Sequence, residues 1–160
     1  MDAARRVRKA RRSGDLESAR QLVLVLVVEH PGDAELQYEA ACVHDQLGRE
    51  AEAVPFYEAA LALGLPDEPL RGAYLGLGST FRTLGQYRQA EATLQAGLAR
   101  FPDAAELKTF LAKTLHNLGQ FRQAVELLLT VVADTSADPQ VKTYREAIRF
   151  YARDVERIWT

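Results

Sequence analysis

Cys42 and His44 are the one nucleophile and base that lie close together in this sequence, so their spacing is the first test of catalysis. Residues two apart on a helix point to roughly opposite faces, and neither could then activate the other or share a metal ion with it. The other histidines, His30 and His116, stand apart from any such partner. No glycine-rich phosphate loop, metal-binding spacing or nucleophile elbow occurs, and single acidic residues are spread as on ordinary helix surfaces. These observations point away from an enzyme and toward no cofactor and no metal. A single cysteine also excludes an internal disulfide and a cysteine-based zinc site, and it fits a reducing compartment.

A chain of 160 residues with 48% apolar and 26% charged residues suffices for a real core and shows no sign of wholesale disorder. The formal net charge of −2 is too near neutral to argue for a nucleic-acid partner. It hides an asymmetry, because Arg5, Arg6, Arg8, Lys9, Arg11 and Arg12 face only Asp2 in the first twelve residues. Basic residues followed by the apolar run Leu22–Val28 superficially resemble a signal peptide. Asp15 and Glu17 interrupt that approach and no small-residue cleavage site follows. No stretch approaches the roughly 20 apolar residues that cross a bilayer. A cytoplasmic protein with no membrane partner is expected.

The elements that would position any site follow from a repeat. Leu22–Val28 alone reads equally as a buried strand or as a helix apolar on every side. The wider sequence decides. "LGQYRQAEATL" from Leu84 and "LGQFRQAVELL" from Leu118 nearly copy each other, and "LGREAEAVPFY" and "SGDLESARQLV" stand at similar spacing upstream. Gly14, Gly48, Gly85 and Gly119 mark the four units. A period of this length means stacked repeats, with a helix ending at each glycine and another beginning after it. The frame makes the valine-rich run a second helix, since valine's poor helix propensity costs only tenths of a kcal/mol per residue, about 0.5 or less.

These units resemble tetratricopeptide repeats. The third fits best, with Tyr74, Leu77, Gly78, Phe81, Gly85, Tyr87, Ala90 and Pro102 at the signature positions. The second departs at Gln37 and His44, where aromatics are common, and the first has a nearly all-basic first helix. The resemblance implies an all-α right-handed superhelix of four repeats, about 1–33, 34–70, 71–104 and 105–138, in one domain over 1–160. Asp138 and Pro139 read as an N-cap and first helical residue. Val141, Tyr144, Ile148, Tyr151, Val155 and Ile158 then recur at helical spacing, so one capping helix over 139–158 is expected to cover the last repeat. A partner-binding coiled coil is the other reading of that segment.

The resemblance further implies a protein-interaction adaptor, with a partner or peptide held in a groove lined by the first helices. In register, Arg8, Arg11, Tyr38, Cys42, Asp45, Leu75, Ser79, Arg82, Thr109, Lys113 and His116 face that groove. The family's carboxylate clamp is not expected, since Tyr38, Cys42, Gly76, Glu106 and Phe110 occupy its positions. "LGLGSTFRTLGQY" resembles a Gly-Ser-Thr-Leu-Arg segment of small bacterial members, with Phe81 in place of Leu. It centres Ser79 and Arg82, three apart on one helical face. Arg82 either grips a carboxylate of a partner or pairs with an acid of its own chain. Leu24, Val25 and Val28 would face outward from the first repeat, which makes self-association as a structural protein the alternative, unless the terminal repeat buries them. The basic N-terminus is expected to be solvated helix surface, with no nucleic acid bound.

Overall fold

The computed structural model describes residues 2–158, and among them there is no strand. Met1, Trp159 and Thr160, at the ends of the expected domain, lie outside the described residues. Among the described residues ten helices follow one another: α1 (Ala3–Arg12), α2 (Leu16–Glu29), α3 (Ala34–Gln46), α4 (Glu50–Leu63), α5 (Asp67–Thr83), α6 (Tyr87–Arg100), α7 (Ala105–Asn117), α8 (Phe121–Thr135), α9 (Pro139–Thr143) and α10 (Arg145–Ala152). The valine run lies wholly in α2, so the helical reading holds.

Each boundary has a local cause. Gly14, Gly48, Gly85 and Gly119 sit at φ 91°, 69°, 74° and 76°, the left-handed conformation that lets one helix stop and the next begin within a few residues. Asp15 and Asp33 cap α2 and α3 by accepting the backbone N–H of Ser18 and Leu36, each at 3.0 Å. Asp138 caps α9 through the N–H groups of Gln140 and Val141, with Pro139 as first helical residue, as the sequence indicates.

The fold divides into two compact units, Met1–Gln86 and Tyr87–Thr160. In the first, α2 packs on α1 and α3, and α4 packs on α3 and α5. Its core includes Ala4, Val7, Ala19, Val23, Leu26, Leu36, Ala40 and Val43. Small alanines let helices approach closely while the branched side chains fill the space between them. Gln37 and His44, which stand where aromatics are common, are buried there with partners. The Gln37 amide donates to the Pro31 carbonyl at 3.1 Å, and His44 Nδ1 donates to the Ala40 carbonyl at 2.7 Å. The His44 ring also stacks on Phe56, with centroids 5.0 Å apart.

In the second unit α7 packs against α6 and α8, and α10 lies against α8. The expected single helix over 139–158 is instead two, bent at Tyr144 and ending at Ala152. Two anchors hold the second piece on α8. Arg145 Nε donates to the Ala133 carbonyl at 2.8 Å, and Arg149 pairs with Asp134 at 2.7 Å. Beyond Ala152 the helix does not continue; Val155 is half-buried and Ile158 is exposed.

Candidate functional site

The first helices α1, α3 and α5 of the first unit bring eight of the expected groove residues onto neighbouring elements, and Arg8, Arg11 and Asp45 engage other side chains of the chain there. Arg8 and Arg11 are one turn apart on α1, and both reach Glu39 on α3. Arg8 also pairs with Glu35 at 3.1 Å, and Arg11 Nε lies 3.0 Å from Glu39 Oε2. The Glu39 side chain is fully buried, so two guanidinium groups neutralise a carboxylate that could not otherwise leave water. The two arginines are thus committed within the chain: Glu39 holds the Arg8 guanidinium more firmly protonated, and for Arg11 burial is the largest influence and opposes the rise that Cys42 and Glu39 produce.

One turn along α3 stands Cys42, whose thiol is influenced by Arg11 and by the Tyr38 and Tyr57 hydroxyls. Burial pushes the thiol pKa up, and the nearby Arg11 charge only partly opposes it. A nucleophilic cysteine needs the opposite shift, so Cys42 sits in the environment of an inert structural thiol. His44, engaged with Ala40 and Phe56, makes no pair with it. Burial likewise raises both tyrosine hydroxyls above their ordinary value, with the Cys42 thiol as the next influence.

Asp45 closes the chain of contacts. It accepts from the Tyr57 hydroxyl at 3.1 Å and from Thr80 Oγ1 on α5 at 3.2 Å. Side-chain hydrogen bonds therefore tie α3 to α1 through Glu39, and to α4 and α5 through Asp45. Burial raises the Asp45 carboxyl above the ordinary 3.8, while the two hydroxyl donors pull it down. Such a carboxyl holds its proton more tightly folded than unfolded. Its share of stability is full below pH 3.8 and is lost as pH rises through the folded value. Asp45→Asn is therefore expected to gain stability relative to the parent at pH 7 and to lose that gain by about pH 3.5. Thermal melts of both proteins at the two pH values check this; a relative gain that grows on acidification contradicts it.

What remains on the first-helix face is on α5. Leu75, Ser79 and Arg82 follow at spacings of four and three, all half-buried. Arg82 has a buried Nε without a hydrogen-bond partner, and among the described residues no carboxylate is paired with it. The sequence left two roles open for Arg82, and the intramolecular pair is not formed. In the second unit, Thr109 turns its hydroxyl back to the Ala105 carbonyl at 2.8 Å. Exposed Lys113 lies over the Phe110 ring at 4.7 Å, and exposed His116 stands edge-on to Phe121 at 5.1 Å. On α2, Leu24 is half-buried while Val25 and Val28 are exposed.

Residues that sequence reasoning missed are Glu35, Glu39, Tyr57, Thr80, Gly72 and Gly76. A side chain at Gly72 would meet the Tyr38 hydroxyl, and one at Gly76 would meet the Tyr57 hydroxyl and ring. Two glycines four apart inside a helix, each costing about 1 kcal/mol relative to alanine, were the available signal of close approach.

The repeat geometry has counterparts. A family model described as tetratrico peptide repeat matches residues 34–155. The chain belongs to the tetratricopeptide repeat family. Among solved structures, the MamA RS-1 ArsTM double mutant is similar over 96% of this chain and 87% of its own, at TM-score 0.73 and 20% identity. A Podosopora anserina protein described as a kinesin light chain with nearly identical TPR-like repeats is similar over 96% of this chain and 86% of its own. Its TM-score is 0.68 and its identity 23%. At these identities the likeness establishes the tetratricopeptide fold alone. No curated protein matches the chain at significance. Among the described residues no helix is long and apolar enough to cross a membrane, and no group of metal-ligating side chains comes together.

Proposed function

We propose that this tetratricopeptide protein is a protein-interaction adaptor, non-catalytic and cytoplasmic, that holds a peptide or partner segment against the first-helix face of its repeats. Tetratricopeptide repeats generally mediate contacts between proteins. The observation that carries the reading is Arg82, a half-buried arginine that pairs with no carboxylate among the described residues. Every other arginine expected on this face is held by Glu35 or Glu39. A buried donor without a partner is costly, and a planar guanidinium takes a carboxylate through two parallel hydrogen bonds. Ser79, one turn away, adds a hydroxyl, and Leu75 adds apolar contact. The ligand class is therefore an acidic segment whose carboxylate reaches Arg82, rather than a chain terminus gripped by the family's clamp.

Affinity capture from the native host's extract, with wild type and Arg82→Glu side by side, tests this. A partner retained by wild type is expected to be lost by more than tenfold with the variant, since truncating or reversing a buried charged contact costs about 2–5 kcal/mol. Equal retention refutes the role of Arg82. The second reading, self-association through the outer face of the first repeat, is favoured by Val25 and Val28, which are 58% and 79% exposed.

A further inference from the structure

Nine residues after each turn glycine stand Val23, Tyr57, Leu94 and Leu128. The first three are sealed at 0%, 2% and 0% exposure, while Leu128 is 39% exposed. In each of those helices another helix follows and packs on it: α3 on α2, α5 on α4, α7 on α6. After α8 come the short α9 and then α10, both against α8, but the anchors of α10, Ala133 and Asp134, lie off the line through Leu128. Phe121, Val125 and Val132 on that line are 58%, 46% and 43% exposed. The capping segment therefore packs beside this face and leaves it open.

We propose that α8 is a homodimer interface, and that a second copy of this chain covers the stripe through an antiparallel α8–α8 contact. The stripe's spacing is four, three, four, which reads the same from either end. About a two-fold axis, Phe121 falls opposite Val132 and Val125 opposite Leu128, a larger side chain against a smaller one at each level. A head-to-tail stack would instead bring α1 onto the stripe. The exposed face of α1 carries Arg5, Arg6, Lys9 and Arg12, whose charges would lose water against four apolar side chains. The four side chains expose on the order of 300 Å² per copy, an area that suits a weak, concentration-dependent dimer. None of this depends on the first-helix face or on Arg82.

Sedimentation equilibrium of the full chain tests the interface. Wild type is expected to shift from monomer to dimer as its concentration rises through about 100 µM. Val125→Glu with Leu128→Glu is expected to stay monomeric while circular dichroism keeps its helical signal. Val25→Glu with Val28→Glu is expected to dimerise as wild type does. A monomeric wild type at the highest concentration overturns the proposal and leaves the stripe to another protein's helix. Loss of the dimer in the α2 variant but not in the α8 variant overturns it too, in favour of the first repeat. Should the α8 variant fail to fold, an equal mixture of Val125→Cys and Leu128→Cys chains gives the same decision. Oxidation is expected to join the two kinds of chain in preference to either kind with itself; no such preference refutes the antiparallel pairing.

Discussion

Glu39→Ala is expected to cost about 3 kcal/mol, because removing one partner from a buried ion pair leaves Arg11 without a carboxylate, while Arg8 keeps Glu35. The Glu39 side chain is fully buried, and it is the one group that both Arg8 and Arg11 hold. A loss of that size is a large part of the roughly 5–15 kcal/mol that keeps a domain folded. The arginines are not equivalent in the opposite experiment. Arg8 is 32% exposed and Arg11 15%, so truncating Arg8 leaves Glu39 neutralised by the better-buried partner and should cost much less. Urea titration of the three proteins checks the order. A Glu39→Ala variant within about 1 kcal/mol of wild type would mean that the cluster contributes little.

Gly76→Ala is expected to destabilise by about 1–3 kcal/mol, although alanine in a helix interior is otherwise about 1 kcal/mol better than glycine. The added methyl would meet the Tyr57 hydroxyl and Cζ, with Cε1 at 2.7 Å, and the Tyr57 ring is buried and cannot withdraw. Tyr57→Phe should therefore fail to rescue it, because the ring carbons still collide. Gly72 makes the contrast. There the obstruction is the Tyr38 hydroxyl, with Cζ already at 3.1 Å, so Gly72→Ala should recover most of its loss when combined with Tyr38→Phe. A double-mutant cycle at each site reads the difference directly. Equal rescue at both would contradict this packing of α3 and α4 against α5.

The repeats were legible because their punctuation is chemical. Four glycines at near-constant spacing required left-handed turns, and the frame they set settled the valine run as α2 where its own composition could not. Asp138 and Pro139 likewise announced a helix start. The capping segment was read less well. Its apolar period continued to Ile158, but periodicity carries no information on whether a surface exists to pack against. The bend at Tyr144 follows from where Arg145 and Arg149 find Ala133 and Asp134 on α8, which no local pattern encodes. At the candidate site, register placed Arg8, Arg11, Tyr38, Cys42 and Asp45 on the first helices without showing that they engage other residues of the same chain. That depends on Glu39 lying between the arginines and on tyrosine hydroxyls lying against two glycines. These are pairings between different helices, which no local pattern encodes.

The central claim is that the α5 face of Leu75, Ser79 and Arg82 meets a partner protein. The most direct measurement places a photo-activatable amino acid at Ser79 and, in a second variant, at exposed Gln21 on α2, and irradiates both in the native host's cells. Crosslinking of a partner from position 79, with none from position 21, is the predicted result. A partner caught from position 21 with nothing from position 79 would contradict the account and move binding to the outer helices.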